Sequence, residues 1–185
     1  MPFRLLVTGA SGAGSTSLGR ALADRLSIPH GDSDDYFWLP TVPPYQEPRP
    51  VAERLSLMES VFLPRDSWVL SGSLMGWGEP VMPRVDAVVF LTLGARERLA
   101  RLESREAGRY GEAIAPGGPL AQAHREFLEW AQGYDDPDFD GRSLASQNHW
   151  LASFDLPVLR LDTGATVAEL ADQVIAWLDS PDFTS

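Results

Sequence analysis

Short apolar runs alternate along the chain with stretches whose apolar positions recur at helical spacing. Residues 3–8, with Phe3, Leu5, Leu6 and Val7, predict a first strand, and residues 15–27 a first helix. Residues 27–31 are apolar at their start and predict a short second strand. Prolines 40, 43, 44, 48 and 50 exclude regular structure from Thr41 to Pro50. A helix is expected over 51–63, with Leu55, Met58, Val61 and Phe62 on one side. Residues 67–72 predict a buried strand ending in a small-residue turn, followed by a loop over 73–80. Residues 86–93 form the clearest strand, apolar on both faces as parallel strands are. Further helices are expected over 95–107, 120–132 and 142–153. A last strand, 157–161, leads to a helix over 167–178, with Thr166 and Glu169 at capping-box spacing. Strands alternating with helices predict an α/β domain, a mostly parallel five-stranded sheet covered by helices on both faces.

Composition narrows the classes. The 185 residues, 44% of them hydrophobic, suit one compact domain spanning 1–185. Cysteine is absent, which removes disulfides, thiolate metal sites and a cysteine nucleophile. A formal net charge of −11 argues against nucleic acid as a partner. No apolar run reaches the length of a membrane span, and the start lacks a signal-peptide layout, so a cytoplasmic protein without a membrane partner is expected, as monomer or homodimer. All 15 basic side chains are arginine; there is no lysine.

Between the first strand and the first helix stands Gly9-Ala10-Ser11-Gly12-Ala13-Gly14-Ser15-Thr16. Gly9, Gly14 and Thr16 keep the spacing of G-x-x-x-x-G-K-[ST], and Ser15 replaces the lysine. Glycines let successive backbone N–H groups turn inward, and the helix start adds its positive end, so the stretch predicts an anion-binding loop. Thr16 would offer its hydroxyl to Mg²⁺. Any cation on a bound phosphate must then be a metal or an arginine, whose planar fork suits phosphate oxygens.

Asp32, Asp34 and Asp35 follow the second strand, where ligands gather in open α/β sheets. They could hold Mg²⁺ through its waters or accept the proton of an attacking hydroxyl, with Asp32 and Asp34 preferred; capping a helix is the alternative. Tyr36, Phe37, Trp38 and the later Trp77 could wall an acceptor pocket or simply join the core. Trp77, between Gly76 and Gly78, is preferred as a substrate contact because a loop aromatic has little core to join. Arg98, Arg101 and Arg105 recur near one helical face, with Arg109 just past Gly108. Arg105 and Arg109 stand where the helix is expected to break into a lid over 105–141, placing them as phosphate contacts with Arg101 behind. Pairing with Glu97, Glu103 and Glu106 is the alternative. His30, His124 and His149 share no metal-ligand spacing, and Asp86 reads as a strand-start residue near solvent.

Together these features resemble the small P-loop kinases, the nucleoside-monophosphate kinase and shikimate kinase group. The resemblance implies a three-layer α/β/α P-loop fold with a helical lid, and ATP and Mg²⁺ at Gly12, Gly14, Ser15 and Thr16. It implies an acceptor near Asp34 and the Gly72 turn, and lid arginines on the phosphates. Two functions are expected: an ATP-dependent kinase of a small-molecule or nucleotide acceptor, or a nucleotide-binding module of the same fold that transfers little or nothing.

Overall fold

The computed structural model describes residues 3–180. Strand β1 (Arg4–Gly9) is followed by helix α1 (Ser15–Leu26), and β2 (His30–Asp32) passes directly into the short helix α2 (Ser33–Phe37). Next come α3 (Val51–Val61), β3 (Trp68–Ser71), a 3-10 helix over Glu79–Arg84, β4 (Ala87–Thr92) and α4 (Ala95–Tyr110). Helices α5 (Ala121–Gln132) and α6 (Leu144–Ala152), strand β5 (Val158–Asp162) and helix α7 (Val167–Leu178) complete the chain. The sheet is five-stranded and parallel, ordered β2-β3-β1-β4-β5.

The described chain separates into two compact units. One contains Gly14–Leu91 with the terminal stretches up to Gly9 and from Phe154; the other contains Ala10–Ala13 and Thr92–Ser153. In the first, Leu5, Leu6 and Val7 of β1 and Ala87–Leu91 of β4 have no exposed surface, so the central strands are covered on both faces. Helix α1 lays Leu18, Leu22 and Ala23 against the sheet and packs beside α7. Leu22 is wholly buried, and its truncation to alanine would cost about 2–5 kcal/mol. In the second unit α4 packs on α5. Among the described residues no helix is long and apolar enough to cross a membrane.

Four local expectations are corrected. The second strand lies at His30–Asp32 rather than over 27–31, and Asp34 and Asp35 belong to the helix that follows it. The buried side of α3 carries Arg54 and Met58, with Phe62 just beyond the helix, while Val61 is exposed. Residues Glu79–Arg84, expected in part as loop, coil into a 3-10 helix. Helix α4 runs unbroken through Gly108 to Tyr110, so Arg105 and Arg109 sit in its last turns and not at a break.

Candidate functional site

The register of the sheet gathers the carboxyl ends of three neighbouring strands. Asp32 of β2 lies opposite Ser71 of β3, which lies opposite Val7 of β1, two residues before the glycine stretch. Gly14, at the N-cap of α1, adopts φ 97° and ψ 18°, a left-handed conformation that glycine reaches without strain. The first ladder bond of α1 runs from the Leu18 N–H to the Gly14 carbonyl at 3.0 Å. The N–H groups of Ser15, Thr16 and Ser17 precede that ladder and point out of the helix start, where the helix field favours an anion.

In the first turn of this helix, the Thr16 hydroxyl donates to Asp32 Oδ2 at 2.7 Å. The other oxygen, Oδ1, accepts the Asp34 N–H at 3.1 Å and caps α2. One oxygen of Asp32 therefore caps α2, and the other accepts from the loop's threonine. The Ser71 hydroxyl lies 3.4 Å from Asp32 Oδ2 and shares a 2.9 Å hydrogen bond with His30 Nε2. Burial pushes the His30 imidazole below its usual pKa, against the opposing pull of the Asp32 carboxylate. Asp34 and Asp35 are exposed in the first turn of α2. Partial desolvation, then the Asp32 charge, raises the Asp35 carboxyl above its ordinary range. Gly72 closes this corner: a Cβ there would stand 2.0 Å from Ser33 Oγ. Among the described residues no group of three or more metal-ligating side chains occurs. Thr16 and Asp32 form a pair of hard oxygen donors, which fits Mg²⁺ because that ion keeps several waters and takes few protein ligands.

The aromatics behave differently from expectation. Trp77 is only 6% exposed, donates its indole N–H to the Ser73 carbonyl at 3.0 Å, and meets Phe37 edge-on with centroids 6.1 Å apart. The premise that it has little core to join is overturned. Trp38 is half-buried, packed edge-on to Phe37 and Tyr45. Beneath Phe37 lies the buried Arg54, its guanidinium carbon 3.6 Å from the Phe37 ring centroid and 5.4 Å from that of Trp77. Its Nε donates to the Arg49 carbonyl at 2.6 Å, and among the described residues it has no carboxylate partner. Sequence reasoning missed Arg54. The signal was the i, i+4, i+8 series Arg54, Met58, Phe62, which puts an arginine on an apolar stripe.

In the second unit, Ala10–Ala13 pack with α4. A Cβ on Gly12 would fall 2.8 Å from the Arg98 carbonyl oxygen, so only glycine fits. Arg98 is buried and tied to the Leu93 and Ala131 carbonyls and to Asp135. Arg101 pairs with Glu97 at 2.7 Å, four residues away. Arg105 and Arg109 both approach the buried Glu106, at 3.1 and 3.6 Å. An arginine that sequence reasoning did not single out bonds the loop stretch: Arg142 donates to Ser11 Oγ at 2.7 Å. The two residues are 131 positions apart, and no local spacing announces the contact.

Solved structures of kinases share this α/β fold at low identity. A shikimate kinase from Bacteroides thetaiotaomicron aligns with a TM-score of 0.54 and 16% identity, covering 96% of this chain and 99% of that one. A gluconokinase from Sinorhizobium meliloti 1021 aligns with a TM-score of 0.52 and 18% identity, covering 96% and 91%. No protein-family model matches the chain. The protein YqaC of Bacillus subtilis (strain 168) is 38% identical over 174 residues, 94% of this chain and 96% of YqaC, and the chain belongs to the same family.

Proposed function

We propose that the chain is an ATP-dependent phosphotransferase acting on a small hydroxyl-bearing acceptor. The observation that carries this reading is the 2.7 Å bond from Thr16, in the first turn after the glycine stretch, to the strand-end carboxylate Asp32. The loop amides and the start of α1 would hold the phosphates of ATP, and Thr16 with Asp32 would hold a hydrated Mg²⁺ that neutralises phosphate charge. In the transfer, the acceptor oxygen bonds to the γ-phosphorus while the bond from that phosphorus to the β–γ bridging oxygen breaks, leaving ADP. The acceptor's proton goes to a carboxylate. Asp34, exposed in the first turn of α2, is the residue to take it. Gly72 and Trp38 would border the acceptor, with Asp35 beside them. The buried, carboxylate-free Arg54 favours an acceptor that carries an anionic group.

A second reading, a nucleotide-binding module with little transfer, is favoured by Ser15 in a chain without any lysine. Incubation with Mg·ATP and a panel of anionic polyols, nucleosides and nucleotides, with ADP as readout, separates the two. Acceptor-dependent ADP release supports the kinase. Calorimetric binding without release across the panel supports the module. No heat with any triphosphate defeats both.

A further inference from the structure

Resting on the reading that Thr16 and Asp32 hold a hydrated Mg²⁺, we infer that His30 is a positioning residue that acts through Ser71 to orient the Asp32 carboxylate. His30 and Asp32 are two residues apart on β2 and so lie on one face of it. Ser71, at the end of β3, is opposite Asp32 in the register and wholly buried. His30 Nε2 and Ser71 Oγ are 2.9 Å apart. The same Oγ lies 3.4 Å from two acceptors, Asp32 Oδ2 and the Gly31 carbonyl. Asp32 Oδ2 in turn accepts the Thr16 hydroxyl at 2.7 Å. All four side chains belong to the same compact unit.

A serine hydroxyl has one proton to give. If Nε2 took it, the Ser71 lone pairs would face the Asp32 carboxylate with no proton between them. If Nε2 carries a proton, Ser71 accepts from the imidazole and is free to turn its own O–H away. The two acceptors then within reach are equally distant, so charge decides, and the carboxylate draws the proton. Donation runs from His30 to Ser71 to Asp32, and Asp32 Oδ2 has two donors, Ser71 and Thr16. With Oδ1 on the Asp34 N–H, the carboxylate is held from three elements and keeps its orientation when a metal-bound water is added. The packing suits the imidazole. A Cβ on Gly19 of α1 would stand 2.9 Å from His30 Nε2 and 3.0 Å from Ser71 Cβ. Glycine costs a helix interior about 1 kcal/mol, and α1 carries that cost where it covers this pair.

Two measurements on the whole chain test this. Long-range proton–nitrogen NMR on the native protein should find a His30 proton on Nε2; a proton on Nδ1 alone would overturn the proposal. Calorimetry with ADP, in Mg²⁺ and in chelator, gives the gain in affinity due to the metal. His30→Leu should cut that gain about five- to tenfold and leave metal-free ADP affinity within about twofold. Ser71→Ala should lose as much, and the double variant no more than either single one. His30→Gln, which returns an N–H donor near the Nε2 position, should restore most of the gain. Equal losses with and without metal, additive losses, or His30→Gln as weak as His30→Leu would each show a merely structural histidine. Should His30→Leu not fold, Ser71→Ala, His30→Gln and the NMR assignment carry the same decision. A native protein that gives no heat with ADP, or no gain from Mg²⁺, would instead overturn the nucleotide and metal reading beneath the proposal.

Discussion

Thr16 and Asp32, sixteen residues apart, are joined by a 2.7 Å hydrogen bond from the hydroxyl to Oδ2, while Oδ1 of the same carboxylate caps α2. The two duties separate under one substitution. Asn caps a helix as well as Asp, so Asp32→Asn should leave the melting temperature within about 2 °C. Removing the negative oxygen that faces Thr16 should cut Mg²⁺-dependent turnover by about a hundredfold. Thermal unfolding and ADP release measured on the same preparation decide it. A variant as active as the native protein ends the assignment of Asp32 to the metal.

Arg98 of α4 is held inside the helical unit. It is buried, with Nη1 donating to the Leu93 carbonyl at 3.2 Å and Nη2 to the Ala131 carbonyl and Asp135 at 3.2 and 2.9 Å. Arg98→Met keeps the volume and strands those acceptors. Denaturant unfolding should show a loss of about 3 kcal/mol. Asp135→Asn should cost far less, because that carboxylate is 45% exposed. A loss under about 1 kcal/mol for Arg98→Met would show that the acceptors find other donors.

What the sequence made legible follows from locality. The order of strands and helices, the loop before α1 and the Thr166–Glu169 box are all set within a few residues, by apolar runs, glycines and a cap. The meeting of Asp32 with the loop's threonine was accessible too, because consecutive parallel units bring their strand ends to one edge. Contacts set by tertiary packing were not. Gly108 costs a helix about 1 kcal/mol, and packing of α4 against α5 carries the helix through it. Trp77 looked like a loop aromatic until Phe37 and Arg54 closed on it, and Arg142 reaches Ser11 across 131 residues.

Glu106 is buried, and the two arginines read as phosphate contacts, Arg105 and Arg109, are the cations beside it. Removing both should leave an uncompensated carboxylate. Arg105→Gln/Arg109→Gln is expected to lose about 2 kcal/mol in denaturant unfolding, and adding Glu106→Gln should return most of it. Turnover provides the opposing test. If the triple variant regains stability but stays at least tenfold slow, these arginines serve the phosphates as well as Glu106.

At the start of α7, Thr166 and Glu169 cap each other: the Thr166 hydroxyl and N–H donate to Glu169 Oε2 at 2.7 and 2.9 Å. Those two bonds, the hydroxyl first, hold the Glu169 carboxyl below its ordinary value near 4.5. A carboxyl lowered in the folded state binds fewer protons there than in the unfolded chain, so stability rises with pH across that window. The contribution is present above pH 4.5 and is lost as pH falls through the lowered value. Glu169→Gln keeps the capping shape without the charge. Its melting temperature should lie about 1–2 °C below native at pH 6–7 and converge with native as the pH falls well below 4.5. A gap that stays constant over that range would mean that the bond, and not the charge, does the stabilising. Thr166→Ala removes the cap together with the hydroxyl that lowers Glu169, so its cost of about 3 °C near neutral pH should shrink as the pH falls.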